Sequence, residues 1–232
     1  NKKYFKNFKE DHFKTTDISA FIKTRKQIPN IANFHEGHWW VQDFASMLPI
    51  YLCPELKFKN ILDMCSAPGG KAFQLISLTN TVNLNDISLK RIKILKDNLN
   101  RLNFKCKITN YNALNILENI KFDVVILDSP CSGVGTIRRN PEILFKKNSP
   151  NFNLLIKNQE KLINKASKLL KKNGVLIYMV CSFLYEETKD IKIKFLKNNK
   201  NFSQYYFNLK NHNKLKHFID KDGDFFCIPN NY

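Results

Sequence analysis

From Ile61 onward the apolar residues either gather in short unbroken runs or recur every three to four positions. The first pattern suits strands buried on both faces, and the second suits helices with one apolar face. The runs predict strands at Ile61-Leu62-Asp63, Val82 to Asp86, Lys105 to Thr109, Phe122 to Leu127 and Val175 to Val180. Between them lie a helix from Lys71 through about Leu78 and one capped by Ser88, with Leu89, Ile92, Leu95, Leu99 and Leu102 on one face. A longer helix around Leu155, Leu162, Ile163, Ala166 and Leu170 is expected to stop at Asn173-Gly174. Glu186-Glu187 reads as an acidic helix start, residues 197–215 as a Lys/Asn-rich loop region, and Phe225 to Ile228 as a final strand. Strands alternating with helices give a doubly wound α/β sheet with helices on both faces.

Upstream the pattern weakens. Residues 1–40 are polar, basic and aromatic, and read as a short basic appendage to a catalytic domain spanning 41–232. Phe44, Met47 and Leu48 have helical spacing, so a helix is expected just after Trp39-Trp40. Adjacent tryptophans serve packing more often than base stacking, and packing is the preferred reading.

Such sheets bind ligands beyond the carboxyl ends of their central strands. The loop after the first strand of the alternation is Asp63-Met64-Cys65-Ser66-Ala67-Pro68-Gly69-Gly70-Lys71. It lacks the G-x-G-x-x-G of a dinucleotide fold. It fails as a P-loop too, with Cys65 in place of the first Gly and Ala72 in place of Ser or Thr. What remains is one carboxylate ending the first of these strands and another, Asp86, ending the second, where it can take both hydroxyls of a ribose. Carboxylates without a phosphate cradle suit S-adenosylmethionine better than NAD.

The stretch Phe122 to Glu142 holds the densest chemistry. Its strand stops at Asp128, and Pro130, lacking an N–H, ends the ladder. Cys131 follows, then Gly133 and Gly135, which allow close backbone approach, and then Arg138-Arg139. A second thiol, Cys181, ends the strand predicted to lie alongside. The bland alternative is a capped strand end with inert buried cysteines.

Four segments in order then carry a family resemblance: Asp63 to Lys71, Asn85-Asp86 with Arg91, Asp128-Ser129-Pro130-Cys131-Ser132-Gly133, and Val180-Cys181-Ser182. Together they resemble the Nop2/Sun (Fmu) family of RNA cytosine-5 methyltransferases over roughly Gly37 to Phe226. Trp39-Trp40-Val41-Gln42-Asp43, Gly135 to Glu142 and Asp222-Gly223-Asp224-Phe225-Phe226 most resemble the bacterial 16S ribosomal RNA branch. The resemblance implies a Rossmann-like class I methyltransferase fold. It also implies that Cys65, Ser66, Ala67, Pro68, Gly69, Gly70, Lys71, Asp86, Arg91 and Asp128 form the S-adenosylmethionine site. The family pattern has Asp where this chain has Asn112, and a neutral amide there predicts weaker cofactor binding.

Carbon 5 of cytosine is a poor nucleophile, and its methylation calls for a thiolate that adds to carbon 6. The residues alone leave open which cysteine attacks. By resemblance Cys181 is the nucleophile, Cys131 assists product release, Asp128 stabilises the base protonated at N3, and Lys71 positions it. Cys53, Cys65, Cys106 and Cys227 are read as packing residues, and Glu186 and Glu187 as structural.

Composition adds the partner. In 232 residues, a hydrophobic fraction of 43% and a charged fraction of 25% are those of a globular protein, but a net charge of +18 favours polyanions, nucleic acid first. Arg138, Arg139 and the lysine-rich surface are the expected RNA contacts, with pairing to a neighbouring carboxylate the equal alternative for Arg138, and an unstacked cytosine in a loop or melted helix is the expected substrate. No apolar stretch of spanning length or signal-peptide core is visible, so a membrane partner is not expected. Six cysteines without a C-x-x-C pair suggest neither a disulfide framework nor a metal site, and fit a reducing cytoplasm. Starting at Asn1 rather than Met, the chain reads as processed or a fragment, with little room for an added RNA-binding module, and as a monomer. Ribosomal RNA is the favoured substrate and transfer RNA the competitor. The other readings weighed are a catalytically silent RNA-binding subunit and an amino-group methyltransferase.

Overall fold

The computed structural model describes residues 12–14, 16, 18–53, 56–57, 59–145, 151–207, 209–210 and 212–227. A short antiparallel pair comes first, β1 (His12–Lys14) with β2 (Ala20–Ile22). The body of the chain is a five-stranded sheet of β3 (Ile61–Asp63), β4 (Val82–Asn85), β5 (Lys107–Thr109), β6 (Phe122–Asp128) and β7 (Leu170–Met179). The strands lie in the order β5-β4-β3-β6-β7 and every neighbouring pair is parallel. The order reverses between β3 and β6, and that switch point opens a crevice at their carboxyl ends.

Period-two alternation builds two cores from one set of strands. Ile61, Val124 and Ile126 face one layer, and Leu62, Val125 and Leu127 face the other. The first layer is closed by α2 (Gly70–Ile76), through Phe73 and Leu75, and by α3 (Leu89–Arg101), through Leu95 and Leu99. The second is closed by α4 (Phe152–Lys168), through Leu162, Ile163 and Ala166, and by α5 (Lys189–Asn198), through Ile191 and Phe195. The doubly wound sheet read from the sequence is the observed fold.

Several boundaries differ. In α3 the apolar face starts at Ile92, because Leu89 sits in the first turn and is 71% exposed. The helix after Lys71 stops at Ile76, and β5 takes up the ladder only at Lys107. α4 ends at Lys168, before Asn173-Gly174. Those two residues lie in a bulge of β7, where pairing jumps from Phe122↔Leu170 to Val124↔Val175. Asn173 has φ 62 there, and a Cβ on Gly174 would stand 3.0 Å from the carbonyl oxygen of Asp123. The turn signal was real, but it marks an irregular strand start instead of a helix stop. The expected final strand reduces, among the described residues, to a single antiparallel bridge between Phe225 and Ile219; Ile228 lies outside them. Phe225 packs instead beside Met47, Leu48 and Phe218. Lys189 pairs with Asp220 and Asp222, and Lys192 with Asp224, tying this segment to α5.

Before the sheet, α1 (Phe44–Tyr51) is capped by Asp43, whose carboxylate accepts from the Ala45 N–H at 3.0 Å. Both tryptophans are packing residues. The Trp39 indole donates to the Ala32 carbonyl at 2.9 Å, and Trp40 stands edge-on to Phe73 and Phe104. Arg101 of α3 donates to the carbonyls of Phe34 and Trp39 and lies 3.9 Å over the Phe34 ring, so these residues sit against the sheet-covering layer. Among the described residues no helix is long and apolar enough to cross a membrane.

Candidate active site

Each strand of the switch point ends in a polar residue, and the loops beyond them converge. After β3 the loop folds back on the end of β4: Ser66 N–H and Oγ both donate to the Asn85 carbonyl, at 2.9 and 3.1 Å. Gly69 has φ 124, and a Cβ there would meet the Phe73 ring at 2.2 Å, so only glycine fits. Asp86, 1% exposed, accepts from Ala67 N–H at 3.1 Å, Ser88 N–H at 2.9 Å and Arg91 at 3.0 Å. Its carboxylate therefore fixes the loop and also holds Ser88, the residue that caps α3 by accepting from Arg91 N–H. Asn85, beside Asp86 in the second motif, is a staple between strands. Its amide donates to the Met64 and Tyr111 carbonyls and accepts from Thr109 Oγ1 and Tyr111 N–H, joining the ends of three strands. Asn112 is exposed, and its side-chain oxygen caps the following turn by accepting from Leu114 N–H at 3.0 Å.

Asp63 ends β3 at 1% exposure, and its Oδ1 has no hydrogen-bond partner among the described residues. Burial, with the Asp128 carboxylate adding to it, pushes the Asp63 carboxyl up to about 7. Burial likewise pushes the Cys65 thiol up to about 12, with Asp63 and Asp86 adding to it, as suits a packing role.

Across the switch point, Lys71 in the first turn of α2 reaches Asp128 at the end of β6, Nζ to Oδ2 2.7 Å. β6 and β7 are in register here, Asp128 opposite Met179, so Cys131 and Cys181 emerge from the same end of the sheet. Their sulfurs are 3.3 Å apart. The hydrogen bond from Cys131 brings the Cys181 thiol down to about 7; burial and Asp128 oppose this and Lys71 assists it. The same hydrogen bond pushes the Cys131 thiol far up. The contact thus favours ionisation at Cys181, the more exposed sulfur, over Cys131. The backbones meet as closely: Gly135 N–H donates to the Cys181 carbonyl at 3.0 Å, and a Cβ on Gly135 would stand 3.0 Å from that oxygen.

Arg138 and Arg139 are half exposed, and each comes within 3.6 Å of Asp43 Oδ2, so the arginine pair is tethered to the cap of α1. Glu187 does not sit at a helix N-terminus as read; it lies in a 3-10 turn (Tyr185–Glu187) ahead of α5, completely buried, while Glu186 is exposed. The Glu187 carboxylate accepts from Ser132 N–H at 2.8 Å, from Ser132 Oγ and from Gln159 Nε2 at 3.1 Å. Burial would raise its carboxyl, but these bonds, with one from Ser182, outweigh that and hold it below the usual range. A Glu-Glu pair in a chain rich in charge gives no signal of which member turns inward.

Parallel strands in this order, with an acidic switch point and helices on both faces, define a Rossmann-like class I S-adenosylmethionine-dependent methyltransferase fold. The model of the family described as 16S rRNA methyltransferase RsmB/F matches residues 50–231, and the chain belongs to that family, the bacterial 16S branch of Nop2/Sun. Ribosomal RNA small subunit methyltransferase B of Shewanella oneidensis is 33% identical over 180 residues, 75% of this chain and 42% of that protein. Ribosomal RNA small subunit methyltransferase F of Shewanella halifaxensis is 32% identical over 187 residues, 73% of this chain and 39% of that protein. The chain thus spans about two fifths of these relatives. Among solved structures, NSun6 from Pyrococcus horikoshii with SFG, an S-adenosylmethionine analogue, is 27% identical at a TM-score of 0.69, covering 78% of this chain and 47% of that one. A methyltransferase homolog protein from the same organism is 26% identical at 0.69, covering 85% and 64%.

S-adenosylmethionine is the cofactor of this family. The residues present fit it: a buried, unpartnered carboxylate oxygen at Asp63 suits a cationic ligand bearing N–H donors, and no phosphate cradle competes.

Proposed function

We propose that this chain is the catalytic body of an S-adenosylmethionine-dependent RNA cytosine-5 methyltransferase acting on 16S ribosomal RNA. The observation that carries the reading is the 3.3 Å contact between Cys131 and Cys181 beside the Lys71–Asp128 ion pair. Two converging thiols, one of them lowered well below an ordinary thiol by the other, suit covalent activation of a pyrimidine and have no use in direct methylation of an amino group.

In this reading the Cys181 thiolate adds to carbon 6 of an unstacked cytosine. Asp128 stabilises the proton at N3, which leaves carbon 5 electron-rich, and Lys71 holds Asp128 in place. Bound S-adenosylmethionine supplies the methyl group as an electrophile. Asp63, the Cys65–Gly70 loop and Asp86 form its cradle, with Arg91 fixing Asp86 and Asn112 at the cradle's outer rim. A base then takes the carbon 5 proton as the carbon 6–sulfur bond breaks and Cys181 leaves as thiolate, a step that Cys131 assists. Positive charge on the surface, Arg138 and Arg139 included, holds the RNA backbone.

The test is methyl transfer from labelled S-adenosylmethionine to 16S ribosomal RNA and to transfer RNA, followed by digestion to nucleosides. Label in 5-methylcytidine from ribosomal RNA supports the reading. Label in methylated transfer RNA only would move the substrate, and label in an N-methylated base would overturn the chemistry.

A further inference from the structure

Glu187 is a buried carboxylate that lies too deep to touch substrate. Replacing a buried charge by apolar packing is often neutral or stabilising, so its retention asks for a geometric reason. The reason lies in what it holds. Its oxygens take the N–H and the hydroxyl of Ser132, the residue after Cys131. Gln159 of α4, also fully buried, donates both to Glu187 and to the carbonyl of Pro130, the residue before Cys131, at 3.1 and 3.0 Å. Both peptide neighbours of Cys131 are thus gripped by one buried pair. On the other side, the Tyr178 hydroxyl donates to the Glu187 carbonyl at 2.8 Å, binding the same residue to β7 just ahead of Cys181. Ser182, next to Cys181, joins this network through the Ser132 hydroxyl, which donates to its Oγ at 3.4 Å.

We propose that Glu187 is the positioning residue for the thiol pair: it locks the Cys131 loop against the Cys181 loop and so sets the sulfur–sulfur contact. The inference rests on the reading of Cys181 as nucleophile, but it is tested on the thiol itself without RNA or cofactor. The groups facing Cys181 are Cys131 and Asp128 from the end of β6 and Lys71 from α2. Glu187 stands one layer behind them, through Ser132 and Ser182. Positioning and simple charge therefore predict opposite signs. Deleting a nearby negative charge would favour the thiolate, whereas loosening the Cys131 contact removes the hydrogen bond that stabilises it.

The experiment is alkylation of the protein by iodoacetamide across pH, quantified on the peptide that contains Cys181. For Glu187→Ala, alkylation at pH 7 is expected to fall about tenfold, with its midpoint moving toward that of an ordinary thiol. Glu187→Gln, which can still accept from Ser132 N–H, is expected to stay within about threefold of the parent. Gln159→Met, which frees Pro130 while leaving Glu187 in place, is the second variant, read in the same way should Glu187→Ala not fold, and is expected to slow alkylation by about threefold or more. Alkylation unchanged or faster in the alanine variant, or unchanged in Gln159→Met, overturns the proposal. Because no methylation is measured, failure here is distinct from failure of the proposed reaction.

Discussion

The sulfurs of Cys131 and Cys181 touch at 3.3 Å although 50 positions separate them in the chain. Two parallel strands in register deliver them to the same sheet edge, and one shared proton makes the two thiols chemically unequal. The proposed division of labour, one sulfur attacking and one assisting release, follows from that inequality.

The pH dependence follows directly. With the Cys181 thiol at about 7, the thiolate forms as pH rises through that value. Single-turnover methylation should therefore climb between about pH 6 and pH 8 and level off above. Lys71→Met removes the cation that favours the thiolate and should move the midpoint upward as well as lower the plateau. A rate independent of pH across that window would remove Cys181 from the attacking role.

Asp63 gives a stability prediction of opposite sign to that of an ordinary carboxylate. Its pKa is raised from 3.8 to about 7 in the fold, so the folded state holds the proton more tightly than the unfolded chain. The fold then loses stability as pH rises from about 4 to 7, and the loss is complete above that range. Asp63→Asn should match the parent near pH 4 and exceed it near pH 8 by about 2 to 4 kcal/mol, while binding S-adenosylmethionine more weakly. Denaturant melts at the two pH values check this, and a variant less stable at pH 8 contradicts it.

Strand-end residues such as Asp63 and Cys181 were legible in the sequence, and the networks around them were not. The alternation of buried runs and periodic helices fixes the sheet, and so places Asp63, Asp86, Asp128, Cys131 and Cys181 at strand ends. Strand ends are legible because apolar runs stop at them. Side-chain networks are not: Glu187 reaches Ser132 across 55 positions, and Asn85 bonds strands on both sides of its own. Local signals also carry more than one meaning. Asn173-Gly174 offers the left-handed backbone that a helix stop or a strand bulge can use, and the pairing of Phe122 with Leu170 decides for the bulge. Phe225 opens the apolar run Phe225-Phe226-Cys227-Ile228 that reads as a strand, yet its ring packs with the Met47–Phe218 cluster.

Asp86 joins cofactor affinity to loop order. Asp86→Ala deletes the acceptor for Ala67 N–H, Ser88 N–H and Arg91, and should weaken S-adenosylmethionine binding by about 1 to 3 kcal/mol. RNA affinity measured without cofactor should barely change. Calorimetric titrations that match the parent would confine Asp86 to holding the loop and the start of α3 in place.

Arg138 and Arg139 stand beside Asp43 at 3.6 Å and half exposed, a geometry in which ion pairs are weak and phosphate competes well. Replacing both by Ala should reduce the slope of log affinity for RNA against log salt by about 1 to 2. An unaltered slope would take the pair off the RNA surface.

In the proposed mechanism Cys181 forms the bond to RNA and Cys131 helps to break it. The direct measurement is a denaturing gel of Cys181→Ala and Cys131→Ala, each incubated with the RNA substrate and S-adenosylmethionine. If Cys181 adds to carbon 6, its alanine variant forms neither product nor adduct. If Cys131 acts after methyl transfer, its alanine variant still lets Cys181 attack, and the adduct accumulates because release is slowed. The account predicts a shifted protein–RNA band for Cys131→Ala alone. A shifted band for Cys181→Ala alone, or full activity with no band in either variant, would contradict it.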